Sequence, residues 1–141
     1  MTSDQWSVIE GEGISEKVKS YKDLLVWQKG IELVKGVYQL VKKFPREETY
    51  VLGDQLRRAA ISIPSNIAEG QAKRHVPEFK QFLYISLGSL AELNTQLIIA
   101  KELGYLDQSA LGGIENKIVE LRKMISTLIT RLPIDLLNTD H

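Results

Sequence analysis

Acid–base and nucleophilic chemistry need side chains that this sequence scarcely supplies. Its two histidines, His75 and His141, fall at the ends of predicted elements. It contains no cysteine, which removes disulfides, thiolate metal sites and cysteine nucleophiles together. A di-metal centre in a helical bundle is built from inward-facing Glu-x-x-His motifs, and none is present. Gly11-Glu12-Gly13 lacks the third glycine and the flanking strand of a dinucleotide loop. Glu92 is expected to be semi-buried, bonding a neighbouring helix or subunit. These residues predict a protein that is not an enzyme and holds neither cofactor nor metal.

Cationic side chains are the better-supplied chemistry. The 18 Lys and Arg balance 18 Asp and Glu, but unevenly along the chain. Residues 1–20 carry four acids against two lysines, whereas residues 21–75 carry ten Lys or Arg against six acids. A polyanion, if one binds, belongs on that middle stretch.

The elements that must position these residues are helical. At 141 residues and 43% hydrophobic, one domain with a real core is expected. Residues 1–20 are polar and read as a flexible arm, whose Trp6 could dock on a neighbour. The first helix runs from Leu24 and carries two apolar stripes. One is Trp27, Ile31, Val34, Tyr38 and Val41; the other is Leu33, Val37, Leu40 and Phe44. Lys42 and Lys43 follow at its end and Pro45 stops it. A second helix spans roughly Tyr50 to Lys73. A third begins at Pro77, suits a first-turn proline, and carries the seam Phe79, Leu83, Ser86, Leu90, Leu93 and Leu97 up to Leu103 and Gly104. A fourth opens after Asp107 with a sustained seam from Leu111 through Leu132, and Pro133 ends it. Residues 134–141, with Leu136 and Leu137, read as a tail. Four such helices predict an antiparallel up-down-up-down bundle over residues 21–133. The N-terminus has no secretory pattern and no stretch approaches a membrane span, so a cytoplasmic protein without a membrane partner is expected.

One residue interrupts the pattern. Pro64 sits inside "RRAAISIPSNIAEG", yet Leu52, Leu56, Ala59, Ile63 and Ile67 keep helical spacing across it. The proline removes one hydrogen bond and crowds the Ala60 carbonyl. A kinked helix is expected at Pro64, Ser65 and Asn66, with Ser62 and Ser65 near the freed backbone groups. The alternative is a break in which Asn66 caps a new turn and Glu69 completes a capping box. Small residues surround the proline, and "SLGSLAEL" in the third helix offers Ser86, Gly88, Ser89 and Ala91 for a close crossing of the two helices.

The stretches "DLLVWQKGIELVKGVY", "LRRAAISIPSNIAEG" and "FLYISLGSLAELNTQLIIAKELGYL" resemble the bacterial four-helix-bundle family encoded in intervening sequences of large-subunit ribosomal RNA genes. The resemblance covers roughly residues 21–132. It implies a bundle that assembles into a ring-like homopentamer. It also implies similarity to the accessory protein of diversity-generating retroelements, a pentameric bundle that binds nucleic acid beside a reverse transcriptase. Carried onto this chain, an RNA- or DNA-binding role selects Arg57 and Arg58 within "LRRAA". By charge alone, Lys42, Lys43, Arg46, Lys73 and Arg74 join them. Each has a local alternative. Lys42 and Lys43 favour a helix dipole, Arg58 can pair with Asp54, and Lys73 with Glu69. Arg57, near the small-residue face, can bond across a subunit interface. No aromatic residues interleave with these cations as in single-strand binders. The other function class is an oligomeric scaffold for a protein partner.

Overall fold

A computed structural model describes residues 20–133; the arm with Trp6 and the tail with Leu136, Leu137 and His141 lie outside the described residues. Four helices follow in order: α1 Leu25–Val41, α2 Leu52–Ala72, α3 Val76–Glu102 and α4 Gln108–Arg131. Each packs antiparallel on its sequence neighbour, and α1 closes the square against α4. Two short 3-10 turns that periodicity missed, Tyr21–Asp23 and Arg46–Glu48, precede α1 and α2. Ser20 belongs to the first of these. Its hydroxyl accepts from the Lys22 N–H, and Asp23 accepts from the Ser20 N–H in return. Asp107 caps α4 by accepting from the Ala110 N–H at 2.8 Å, and Gly104 takes the positive φ of 83° after α3.

The whole α4 seam from Leu111 to Leu132 is buried, as are the apolar seam residues of α3 and its Ser86. The two stripes of α1 part company. Leu33, Val37 and Phe44 enter the core, with Leu40 half-buried; of the other stripe Val41 is buried, whereas Trp27, Ile31 and Val34 are half-buried and Tyr38 is exposed. The outer stripe lies beside α2, not beneath it.

α2 stays helical through Pro64. The break with Asn66 as a new cap is therefore corrected: the Asn66 amide donates back to the Ser62 carbonyl at 2.7 Å. Ser62 donates to the Ala59 carbonyl, also at 2.7 Å, and Ser65 stands exposed. Neighbouring helices explain why the proline is tolerated. Its ring sits against Gly30 of α1, where an added Cβ would stand 3.2 Å from the Pro64 Cβ. On the α3 side, the buried Ser86 hydroxyl donates to the Ile63 carbonyl at 3.1 Å.

The α2–α3 crossing is as close as the small residues suggest, and Gly70, Ser86 and Ser89 of the expected set make it. A Cβ at Gly70 would lie 2.6 Å from the Phe82 Cβ, so glycine is required there. Ser86 and Ser89 are buried, whereas Gly88 and Ala91 are exposed on the far side of α3. Glu92 is exposed as well, and accepts from the Gln96 amide at 3.4 Å. The expected semi-buried acid is thereby corrected. The helix turns residues 88, 91 and 92 away from the crossing that 86 and 89 face.

One further expectation changes. By length and composition α3 is apolar enough to cross a membrane, with a mean hydropathy of 1.3 over its best window, of which 33% is buried. The reason is visible in its packing: α3 is apolar on its core seam and again on its outer face.

The glycine environments give opposite expectations. Gly70→Ala must displace Phe82 and should cost about 1–3 kcal/mol as overpacking. Gly113→Ala meets open space at an exposed position in the second turn of α4 and should stabilise by about 0.5–1 kcal/mol. Chemical unfolding of both variants checks the pair.

Candidate nucleic-acid interface

The seven candidate cations do not form one patch. Lys42, Lys43 and Arg46 gather with Arg57 where α1 ends and α2 begins. Lys73 and Arg74 lie beyond the other end of α2, whose 21 residues span about 30 Å. Arg58 stands between the groups on the outer face of α2. At the first end Glu47, Glu48 and Asp54 offset most of the positive charge.

Adjacent arginines have different fates. Arg57 has only 19% of its side chain exposed. Its guanidinium donates to the Thr49 carbonyl at 2.7 Å, pairs with Asp54, and lies 5.7 Å from the centre of the Tyr38 ring. It braces the α1–α2 connection onto both helices within its own chain. The expected pairing of Asp54 with Arg58 is corrected, since Asp54 is three residues before Arg57 and pairs there. Arg58 is exposed and makes no ion pair among the described residues. Lys42 is the C-cap residue of α1, Lys43 follows it, and both are exposed, as is Arg46. Lys73 is the C-cap residue of α2 and does not form the expected ion pair with Glu69. Arg74 adopts φ 61°, the left-handed conformation that glycine usually supplies after a helix.

The acids of the connection act on a neighbouring phenol. Tyr105, after α3, packs on Phe44 with ring centres 5.6 Å apart. Its partial burial, and then the nearby Glu48 and Glu47 carboxylates, push its phenol above the ordinary value. A second charged concavity of about 240 Å³ lies between α1 and α4, where sequence reasoning placed no site. Lys29 pairs there with Glu120 at 3.4 Å, beside Glu32 and Lys117. The available signal was the Lys–Glu spacing of three on each helix, but nothing in the sequence faced one pair towards the other. Among the described residues no three His, Asp or Glu side chains cluster to hold a metal, and His75 is exposed.

Comparison with known proteins decides the family. The family model described as 23S rRNA-intervening sequence protein matches residues 22–127. The chain belongs to that family. The fold is shared with a crystal structure from Bacteroides thetaiotaomicron VPI-5482, described as a protein of unknown function from the S23 ribosomal protein family. The two are 24% identical with a TM-score of 0.69, over 74% of this chain and 98% of the other. No curated protein gives a significant match. The matched residues run from the turn before α1 into α4 and include the arginine pair.

Two expectations follow from the geometry. Arg57→Ala should cost about 1–3 kcal/mol through its lost charge-assisted bonds, whereas Arg58→Ala should change stability by less than about 0.5 kcal/mol. Thermal unfolding compares them. For Tyr105, a folded pKa above the unfolded one means that its stabilising contribution is complete below about pH 10 and is lost as pH rises through the folded value. Stability should fall on the alkaline side, and less steeply in Tyr105→Phe, when unfolding is followed across that range.

Proposed function

We propose that this chain assembles with itself into a homopentamer and serves, without catalysis, as a cytoplasmic accessory protein that holds RNA or DNA on its cationic surfaces. Self-association is supported by the outer face of α3. Tyr84 is 60% exposed there, and Ile85, Ile98 and Ile99 are each more than 40% exposed. Gly88, Ala91 and Thr95 lie between them, so the face is apolar and low, and a second helix can approach it closely. Five as the number follows from the family resemblance. A bend at Pro64, where α2 lacks one backbone bond and rests on Gly30, would set the angle at which protomers meet.

The nucleic-acid reading draws on Arg58, Lys42, Lys43, Arg46, Lys73 and Arg74, which a ring presents five times over. Arg57 drops out as a phosphate ligand because it is committed within the chain. The acids around the first group favour a modest interaction that salt weakens readily.

The test joins mass and binding. Sedimentation equilibrium should give a particle of five 15.9 kDa chains. Ile85→Glu with Ile99→Glu should give folded monomers. Affinity for structured RNA and for duplex DNA should fall with salt, with a log–log slope of about 0.7–0.9 per phosphate contact. Lys42→Glu with Lys43→Glu and Arg58→Glu should flatten that slope while leaving the mass unchanged. No binding at low salt would overturn the nucleic-acid reading and leave a scaffold for protein partners.

A further inference from the structure

The outer stripe of α1 and one face of α2 enclose an apolar groove of about 280 Å³ that the bundle itself leaves unfilled. Trp27, Ile31 and Val34 form one wall, and Ile61, Pro64 and Ala68 the other. The helices run antiparallel here, so Trp27 lies at the Ala68 end and Val34 at the Ile61 end. Tyr21 closes the first end, its ring 5.5 Å from that of Trp27. Arg58 marks the second end, three residues before Ile61 on the same face of α2.

We infer that this groove is the docking site for the chain's own segment Asp4–Glu10, with Trp6 as the anchor. Three observations select that occupant. The backbone enters the described structure at Ser20, beside Tyr21, so the preceding segment is tethered at the mouth of the groove. Within residues 1–13 the sizeable apolar side chains are Trp6, Val8 and Ile9 after Met1, and in an extended strand Trp6 and Val8 point to the same side. The charge at the far end is complementary. A segment running away from Tyr21 towards its own N-terminus reaches Glu10 first, then the apolar residues, and then Asp4 near Arg58, which has no ion pair of its own among the described residues.

The tether also has a suitable length. Residues 10–19 separate Ile9 from Ser20, and ten residues reach at most about 33–36 Å. The wall from Trp27 to Val34 is about 10 Å long. A linker matched to its span gives effective concentrations in the millimolar range. Weak intrinsic affinity therefore suffices. The site is distinct from the α3 face invoked for assembly, so the two readings stand or fall separately.

Trp27→Phe leaves Trp6 as the only indole in this sequence and keeps the groove aromatic. Acrylamide quenching of Trp6 should then be several-fold weaker than that of free tryptophanamide. Adding Ile61→Glu, at a half-exposed position that the fold tolerates, should restore quenching to the free value with unchanged sedimentation mass. A Trp6→Ala chain should show the complementary effect in an otherwise native protein: quenching of Trp27 should rise as its cover is lost. Quenching of Trp6 at the free value before the groove is altered would overturn the inference. So would a fall in mass with Ile61→Glu while Trp6 stays open throughout, because a second copy would then be the occupant.

Discussion

The hydrogen bond from the buried Ser86 hydroxyl to the Ile63 carbonyl is the contact around which the bundle is organised. A buried hydroxyl without a partner is costly, so α3 must meet α2 in the one register that supplies this acceptor. The acceptor lies one residue before Pro64; the carbonyl that the proline leaves without its helical donor is that of Ala60, one turn earlier. Close approach on both flanks follows from absent side chains. Gly70 admits Phe82 of α3, and Gly30 of α1 admits the proline ring. Moving α2 outward would break the hydrogen bond and open the core at Ile63 and Ile67 together.

That placement decides which apolar residues remain outside. α1 spends Leu33 and Val37 on the core, so Trp27, Ile31 and Val34 are left along the edge it shares with α2. α3 spends Phe79, Leu83, Leu90, Leu93 and Leu97 inward and presents Tyr84, Ile85, Ile98 and Ile99 outward. A helix apolar on two sides satisfies the length and composition of a membrane span, although one of its sides is plainly built into a bundle. Two separate outer surfaces thus remain after the monomer is complete, one a groove and one a helix face. They differ in shape and suit different occupants.

Electrostatics follows the backbone and not the charge count. Arg57 and Arg58 are neighbours in sequence, yet the helix turns them about 100° apart. One reaches a carbonyl, a carboxylate and an aromatic face; the other reaches solvent. The connection between α1 and α2 holds cations and acids together, with Tyr105 packed on Phe44 beside them. A polyanion approaching a single protomer therefore meets scattered positive charge and not a stripe.

The sequence alone determined the four helices, their order, most of their ends and nearly all of the core. Those features depend on the 3.6-residue period and on local capping chemistry at Pro77, Gly104 and Asp107, which neighbours along the chain suffice to set. The blocks around Pro64 and Ser86 also determined the family. Tertiary structure decided the rest. It chose which stripe of α1 faces the core, turned Gly88, Ala91 and Glu92 outward, committed Arg57 instead of Arg58 to Asp54, and separated Lys73 and Arg74 from Lys42, Lys43 and Arg46 by the length of α2. The physical reason is rotation about the helix axis. A period places residues on a common face, but only the neighbouring helix, through contacts such as Ser86 with Ile63 and Gly30 with Pro64, decides in which direction that face points.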